Sequence, residues 1–246
     1  MPNYKPCIVI PVFNHQDVIL DTLGLLRKYA IPCLVIDDGS DENCRLVLQR
    51  IAGAEPWVKL HRRDRNGGKG AAIKDALGLA RQQGYSHALQ IDADGQHNTD
   101  DIPRFLLMAE KNPGSMICGY PIFDESVPKI RLVSRYLTHV WVWINTLSLE
   151  IKDSMCGFRV YPVEIATDCL QAETVGNRME FDTEILVRLY WRKVPVIQMP
   201  TRVHYPTGGI SHFRLALDNY LISIMHTRLF FGMLRRLPSI LSDRNR

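Results

Sequence analysis

The feature that most constrains this chain is the alternation of short apolar runs with helical patterns along its first half. Apolar runs of this kind are typical of strands that are buried on both faces of a sheet. Strands that alternate with helices indicate βαβ units, so the sequence predicts an α/β fold with a mainly parallel central sheet covered by helices on both faces. The predicted strands are residues 7–12, 33–38, 57–61, 87–92 and 116–120, and the predicted helices between them are 15–29, 42–52, 69–82 and 100–111.

Polar clusters follow four of the predicted strands, each at the carboxyl end of its strand. Ligands of open α/β sheets bind beyond the carboxyl ends of the strands. We therefore expect the four clusters to face one crevice that forms the ligand site. The clusters are Asn14 with His15, DDGS at 37–40, RNGGKG at 65–70 and DADGQH at 92–97.

The cluster DADGQH indicates a metal ion. In an extended segment Asp92 and Asp94 point to the same side, and Gln96 can follow if the chain turns at Gly95. Two close carboxylates repel each other, and no basic residue lies nearby in the sequence to neutralise them. Mg²⁺ or Mn²⁺ takes one or two protein carboxylates and completes its shell with water and phosphate oxygens. The alternative is a solvated turn, which is our interpretation only for 98–101, where the pattern is that of a helix start.

The clusters after the second and third predicted strands suit a nucleotide. Asp37 and Asp38 stand where a carboxylate can accept hydrogen bonds from a nucleobase or a ribose, while Ser40 or Asp41 also suits a helix N-cap. Glycines followed by Lys69 at a helix start favour a phosphate, although such turns are also common for purely structural reasons. The chain has neither the GxxxxGK[ST] phosphate loop nor the GxGxxG of a Rossmann dehydrogenase.

Residues 129–149 form a predicted amphipathic helix with two distinct faces. Apolar side chains recur at helical spacing on one face, and Arg131, Ser134 and Arg135 share the other. Two arginines and a hydroxyl on one face suit an anionic acceptor such as a phosphate. The alternative is an ordinary solvated helix face.

A second predicted helix, 213–237, has apolar residues on two sides. One side can pack on the domain while the other enters a lipid interface or a homodimer contact. The segment from Arg202 to Arg246 contains seven arginines and two aspartates, a net charge of +5, against −1 for the rest of the chain. Arg228, Arg235 and Arg236 are therefore candidates for contact with anionic headgroups.

From the N-terminal segment and the lack of long apolar runs, we expect the protein to start in the cytosol. The N-terminus is neither a signal peptide nor a transit peptide, and no run of about 18 apolar residues indicates a transmembrane helix. The six cysteines form no CxxC pair, which predicts buried small hydrophobes rather than disulfides or a zinc site. The basic C-terminus lacks a continuous basic stripe with interleaved aromatic residues, so nucleic-acid binding is not favoured.

Taken together, these motifs resemble the family 2 glycosyltransferases of the GT-A fold, within them the branch of dolichyl-phosphate mannose synthase and its relatives that act on polyprenyl phosphate. The resemblance covers roughly residues 5–212, with the motifs in family order. It implies a GT-A domain over 1–212, followed by a C-terminal amphipathic helix and basic tail over 213–246. The matching segments are 10–19, 35–42, 66–73, 91–97, 129–137 and 153–162.

The resemblance also implies roles for particular residues. It implies an inverting transfer from a UDP- or GDP-sugar, with a divalent metal, Mg²⁺ or Mn²⁺, on the donor diphosphate. From the basic C-terminus and the apolar sides of 213–237 we separately expect a protein that is peripheral on the cytoplasmic face of a membrane and is released by salt. The implied nucleotide-sugar contacts are Pro11, Val12, Asn14, Asp37, Asp38, Lys69 and Asp92, and the implied metal ligands are Asp92, Asp94 and Gln96.

The acceptor stays open at the level of the sequence. A polyprenyl phosphate is already anionic and needs only positioning, for which Arg131, Ser134 and Arg135 are candidates. A hydroxyl of a lipid, polyene or saccharide in cell-envelope biosynthesis needs a general base, for which Asp153 is the first candidate. Further candidates for that base lie in MEFDTE, where an ordinary helix start is the alternative: Glu180, Asp182 and Glu184. An alternative of another class is a catalytically inactive regulator that binds a sugar nucleotide.

Overall fold

A seven-stranded sheet forms the centre of the molecule, for which the computed structural model describes residues 4–123, 127, 129–203 and 213–244. The strands are β1 (Pro6–Val12), β2 (Cys33–Asp37), β3 (Val58–Arg62), β4 (His87–Gln90), β5 (Met116–Phe123), β6 (Arg159–Pro162) and β7 (Val196–Val203). Their order in the sheet is β3-β2-β1-β4-β6-β5-β7. Only β6 runs antiparallel to its neighbours β4 and β5. The prediction of a mainly parallel sheet is confirmed.

Helices cover both faces of this sheet. They are α1 (Gln16–Leu26), α2 (Glu42–Ala54), α3 (Lys69–Gln82), α4 (Ile102–Lys111), α5 (Lys129–Thr146), α6 (Val163–Ala172), α7 (Phe181–Trp191) and α8 (Leu215–Arg244). Side chains of β1 alternate between two buried cores: Ile8 and Ile10 pack with α1, α2 and α4, while Cys7 and Val9 pack with α3, α6 and α7. This alternation explains why β1 is apolar throughout. All six cysteines are buried and unpaired, as predicted.

The first four strands end where the polar clusters begin. The register pairs Val12 of β1 with Asp37 of β2, so these two strands finish at the same edge of the sheet. Strand β4 stops at Gln90, two residues earlier than predicted. The chain then turns through Gly95, whose φ of 70° lies in the left-handed region that glycine adopts without strain. Asp92 and Asp94 therefore sit in a turn, whereas the sequence suggested an extended segment.

The C-terminal helix α8 packs on α5 and α7, and its two apolar sides have different fates. Leu229 and Met233 are buried, whereas Tyr220 and Phe231 are 63% and 57% exposed. We call ten of the large exposed apolar side chains of α5 and α8 the open apolar face; they are Leu132, Tyr136, Leu137, Trp141 and Ile144 from α5, and Leu217, Tyr220, Ile224, Phe231 and Leu234 from α8. Within the described residues, no helix is long and apolar enough to cross a bilayer.

Two arginines of α8 that the sequence predicted to contact lipid headgroups form ion pairs with acids of the protein and are only partly exposed. Arg228 pairs with Glu184 of α7. Arg236 pairs with Glu173 at the end of α6, at 2.9 Å. Arg235 remains exposed on α8. These ion pairs fasten α8 to the domain, so they reduce the positive charge that is available to a membrane surface.

Candidate active site

A cavity of about 260 Å³ lies at the carboxyl ends of the first strands. It is bounded by the chain that follows β1, β2, β3 and β4, and on the far side by the loop before α7 and the start of α8. The structure brings seven of the predicted nucleotide and metal residues to its wall. They are Pro11, Val12, Asp38, Lys69, Asp92, Asp94 and Gln96.

Two predicted nucleotide contacts, Asn14 and Asp37, do not line this cavity. Asn14 has a left-handed φ of 52°, and its side-chain oxygen accepts a hydrogen bond from the Asp41 backbone N–H at 2.8 Å. Asp37 is fully buried, accepts a hydrogen bond from the Ser40 backbone N–H at 2.8 Å, and pairs with Arg62. Both side chains hold the turn after β2 in place, so their contribution to the cavity is indirect.

Asp38 holds the glycine-rich loop that precedes α3. Its two carboxylate oxygens accept hydrogen bonds from the backbone N–H groups of Gly67 at 2.9 Å and Gly68 at 2.7 Å. Arg63 pairs with the same carboxylate. Gly68 has a φ of 97°, and a Cβ there would lie 2.7 Å from the Asn177 carbonyl oxygen. The absence of a side chain at Gly68 therefore lets the backbone at Asn177 pack closely against this loop. Asp38 also lines the cavity.

Lys69, at the first position of α3, supplies the basic partner that the sequence did not reveal for Asp92. Its ammonium lies 2.7 Å from Asp92 and 2.8 Å from Asp182. Burial alone would lower the pKa of Lys69, but these two carboxylates hold that pKa above its usual value. Burial would raise the pKa of Asp92, but Lys69 and His97 hold it below its usual range. Both groups are therefore charged at neutral pH.

Asp94 lies beside this pair, and no cationic side chain of the described residues forms an ion pair with it. Burial and the neighbouring Asp92 charge raise the pKa of Asp94. Its carboxylate accepts one hydrogen bond, from the Gln96 backbone N–H at 3.1 Å. The Nδ1 atom of His97 is buried with no hydrogen-bond partner among the described residues. An ionised Asp94 next to an ionised Asp92 is electrostatically costly, and a divalent cation would remove that cost.

The donor atoms present fit a sparse metal site. No cluster of three or more His, Cys, Asp or Glu side chains with metal-binding geometry occurs in the part of the chain that the structure describes. Asp92, Asp94 and the Gln96 amide would therefore supply part of a coordination shell, with water and phosphate oxygens completing it. That sharing between protein and substrate is the usual arrangement for Mg²⁺.

One predicted acceptor residue, Arg135, contacts the predicted base Asp153 in a buried cluster. Arg135 of α5 donates to both carboxylate oxygens of Asp153, with the Nη2 contact at 3.0 Å, and His139 Nε2 lies 3.2 Å from the same carboxylate. Backbone N–H groups of Met155 and Cys156 donate to Asp153 as well. The side chains of Arg131 and Ser134, predicted to share this face, lie outside the described residues.

Asp153 is therefore a weak base. Burial alone would raise its pKa, but His139 and Arg135 hold the pKa of this carboxyl well below its usual range. The carboxylate orients the guanidinium of Arg135 instead, because it grips both the Nε and Nη2 groups.

The three acids of MEFDTE are also engaged inside the protein. Asp182 pairs with Lys69, and Glu184 pairs with Arg188 and Arg228. Glu180 accepts hydrogen bonds from two backbone N–H groups of the preceding loop, and none of the three acids lines the cavity. In the structure these acids fasten α7 to its surroundings.

Sequence reasoning missed the far wall of the cavity. Four residues there come from the loop before α7 and from the start of α8, more than 80 positions beyond the DADGQH cluster. An acid in the first turn of a helix is an ordinary capping signal, so no local pattern distinguished them. They are Arg178, Met179, Arg214 and Asp218.

Comparison with known proteins gives a family match and similar relatives. The model described as glycosyl transferase family 2 matches residues 7–166. The polyprenol monophosphomannose synthase of Mycolicibacterium smegmatis is 24% identical, over 85% of this chain and 81% of that protein. The undecaprenyl-phosphate mannosyltransferase of Micrococcus luteus is 25% identical, over 70% of this chain and 74% of that protein.

A solved structure has the same fold. Glucosyl-3-phosphoglycerate synthase from Mycobacterium tuberculosis, in complex with Mn²⁺, UDP-glucose and phosphoglyceric acid, aligns with a TM-score of 0.65 at 12% identity. The alignment covers 94% of this chain and 80% of that one. This likeness establishes the GT-A fold predicted from the sequence.

Proposed function

The chain belongs to glycosyl transferase family 2, and from this premise we propose that it transfers a hexose, with inversion at the anomeric carbon, from a UDP- or GDP-sugar to a polyprenyl phosphate. The cavity at the strand ends, which Asp38, Lys69, Asp92 and Asp94 all line, supports a nucleoside-diphosphate sugar as donor. The relatives named polyprenol monophosphomannose synthase and undecaprenyl-phosphate mannosyltransferase support the acceptor class.

The observation that supports a phosphate acceptor is that the candidate general bases are already paired with cations or with backbone N–H groups. A hydroxyl acceptor needs a carboxylate that can take a proton at neutral pH. Asp153 is gripped by Arg135 and His139, and the acids of MEFDTE are held by cations or backbone N–H groups away from the cavity. A phosphate monoester carries its own negative charge and needs no base. The arrangement of these acids therefore favours a phosphate nucleophile over a hydroxyl.

Arg135 has the geometry of an acceptor-positioning group. It belongs to α5, the helix that carries half of the open apolar face, and its guanidinium is oriented by two hydrogen bonds to Asp153. A phosphate head could share this guanidinium while the isoprenoid tail lies along apolar side chains such as Tyr136 and Leu137. Arg131 and Ser134 complete the same proposal from the sequence, since they are spaced to share that face of α5.

The leaving group determines what the donor side must do. Negative charge develops on the departing diphosphate as the anomeric carbon loses it, so cationic groups that face the diphosphate stabilise the transition state more than the ground state. A divalent cation held by Asp92, Asp94 and Gln96 would supply that charge. Lys69 keeps Asp92 ionised and oriented, since its ammonium lies 2.7 Å from that carboxylate.

The same proposal places the protein at a membrane surface. The open apolar face joins α5 to α8, and it includes Trp141 and Tyr220, residue types that favour the interface between lipid and water. An amphipathic helix lies in this interface with its apolar side buried. We therefore propose peripheral attachment on the cytoplasmic side, with the open apolar face turned to lipid.

A transfer assay tests the function. Purified protein is incubated with Mg²⁺ or Mn²⁺, a panel of UDP- and GDP-sugars, and undecaprenyl phosphate in lipid vesicles, and products are identified by mass. We expect a polyprenyl monophosphate sugar from one nucleotide series. Transfer only to hydroxyls of a lipid extract would establish the second acceptor class instead. Nucleotide-sugar binding without turnover on any acceptor would indicate an inactive regulator.

A further inference from the structure

Arg178 and Asp218 meet on the far wall of the cavity. Arg178 belongs to the loop before α7, and Asp218 lies in the first turn of α8. Neither residue belongs to the motifs that bind nucleotide or metal by resemblance. Both residues line the same cavity as Asp92 and Asp94, so they are available to a part of the nucleotide sugar other than the diphosphate.

The contact between these two side chains is incomplete. Asp218 is fully buried, and one of its oxygens, Oδ2, accepts a hydrogen bond from the Arg214 backbone N–H at 2.6 Å. The other oxygen, Oδ1, lies 3.5 Å from Arg178 Nε. Both of these atoms are buried, and neither has a hydrogen-bond partner among the described residues. A donor and an acceptor thus lie unsatisfied side by side, in two residues that line the cavity.

A hydroxyl group is the chemistry that satisfies both atoms at once. It can donate to Asp218 Oδ1 and accept from Arg178 Nε, whereas an anion would satisfy only the arginine and an ammonium only the aspartate. Leaving a buried polar atom unpaired costs free energy, so filling both positions favours binding. We propose that Arg178 and Asp218 recognise a hydroxyl of the transferred sugar and help to determine which hexose the enzyme accepts. This inference rests on the proposed function, because it takes a nucleotide sugar as the donor.

The pair is preorganised from both sides. Arg178 packs against the glycine-rich loop, since a Cβ on Gly68 would lie 2.8 Å from its Cγ and 3.0 Å from its Cα. The backbone N–H of Arg178 also donates to Glu180 at 3.2 Å. On the other side, α8 is fastened to α7 by the Arg228–Glu184 ion pair. The distance between the hydroxyl subsite and the glycine-rich loop is therefore set by the fold, as a specificity site requires.

The test separates recognition of the sugar from binding of the nucleotide. Dissociation constants in the presence of Mn²⁺ are measured for UDP and GDP, and for UDP-glucose, UDP-galactose, UDP-N-acetylglucosamine and GDP-mannose. The variants are Asp218→Asn, which keeps the size of the side chain but replaces one acceptor oxygen by a donor, and Arg178→Met. Asn219→Ala is the matched control, since it changes an exposed neighbour in the same helical turn.

We expect both variants to bind the preferred nucleotide sugar about 10- to 100-fold more weakly, the usual cost of a lost hydrogen bond to a charged group. Affinity for the free nucleotide should stay within about twofold of wild type, since only the sugar contact is removed. Discrimination between the preferred sugar and its epimers should shrink by the same factor.

Equal losses for the sugar nucleotide and for the free nucleotide would show a structural role and overturn the inference, as would unchanged selectivity in both variants. Wild-type protein that binds neither UDP nor GDP nor any sugar nucleotide would instead remove the proposed function itself. The control variant should match wild type throughout, and its failure to do so would assign the effect to the helix start rather than to Asp218.

Discussion

The donor side and the acceptor side of the molecule are built in opposite ways. On the donor side, charged groups are crowded and held by each other: Lys69 bridges Asp92 and Asp182, and Asp38 grips the loop before α3. On the acceptor side, the open apolar face of α5 and α8 leaves large side chains exposed, with Tyr136 62% accessible.

We attribute this difference to the two proposed substrates. A nucleotide sugar arrives from water and must be held in one orientation by short, directed contacts, for which rigid strand ends are suited. A lipid-linked acceptor arrives from a bilayer, so its binding surface must remain apolar and open to that bilayer. A change on the donor side should therefore act on catalysis with little effect on membrane binding, and a change on the acceptor face should do the reverse.

The largest effect is expected from Asp94→Ala. This change removes a carboxylate from the proposed metal site, and loss of a group that stabilises the leaving diphosphate should lower kcat by about 100-fold or more. Asp100→Ala is the control, because Asp100 is an exposed acid on the next helical turn of the chain. Retention of more than about a tenth of wild-type transfer in Asp94→Ala, or equal rates with Mn²⁺ and with EDTA, would contradict the metal assignment.

The ionised Asp94 carboxylate should lower the stability of the metal-free protein, although it is expected to support activity. Burial and Asp92 raise the pKa of Asp94 above its ordinary value of 3.8, so ionisation of Asp94 destabilises the folded protein as pH rises through the raised pKa. In EDTA, Asp94→Asn should therefore melt at a higher temperature than wild type at neutral pH, and the gain should vanish as pH falls toward 4. Melting curves from pH 4 to 8 measure this; a variant that is less stable at neutral pH would contradict it.

The next largest loss of transfer activity is expected from Gly157→Ala. A Cβ at this position would collide with the Asp92 carboxylate and lie 2.7 Å from Lys69 Nζ, so the ion pair must shift. Because small displacements of positioned groups are costly in catalysis, we expect transfer to fall by about 10- to 100-fold. Gly78→Ala in α3 is the matched control, since a Cβ there meets nothing within 4 Å and should instead stabilise the helix by about 0.5–1 kcal/mol. Equal activity in the two variants would show that the Lys69–Asp92 geometry is not critical.

The same contrast explains what the sequence could and could not predict. The donor side follows from local patterns, since a strand, its terminal acids and the next helix are adjacent in the chain. The partner of Asp92 was not predictable in this way, because Lys69 lies 23 positions earlier and only the parallel arrangement of the strands brings it close. Arg178 and Asp218 are separated by 40 positions and meet only because α8 folds back over α7. Local sequence patterns predict which face of a segment is buried, whereas contacts between residues far apart in the chain depend on tertiary packing.

The next prediction distinguishes the two acceptor classes. With a phosphate acceptor, Arg135→Ala should reduce kcat/KM for undecaprenyl phosphate by about 10- to 100-fold, the loss of charge-assisted hydrogen bonds. Asp153→Asn should act more weakly and mainly through KM, because Asp153 orients Arg135. Since the pKa of Asp153 is held below its usual range, the kcat profile of the wild type should show no limb from this group between pH 5 and 9.

A hydroxyl acceptor predicts the reverse order. If Asp153 were the general base, Asp153→Asn should lower kcat by about 100-fold or more, while Arg135→Ala would act less. Arg192→Ala serves as the control, since Arg192 is an exposed arginine directly after α7 that does not line the cavity. A kcat loss that is larger for Asp153→Asn than for Arg135→Ala would therefore indicate that the acceptor nucleophile is a hydroxyl and not a phosphate.

The smallest effect concerns salt and membrane binding. A basic C-terminus alone predicts release from anionic vesicles by salt, because screening shortens the reach of its charges to about 8 Å at physiological ionic strength. Arg228 and Arg236 are already paired with Glu184 and Glu173, so we expect attachment to depend mainly on the open apolar face. Tyr220→Ser with Phe231→Ser should reduce flotation with vesicles strongly, whereas raising salt from 50 to 500 mM should reduce it only about two- to threefold. Complete release by salt, with no effect of the double variant, would show that charge holds the protein at the membrane. The open apolar face would then have no role in binding the lipid-linked acceptor.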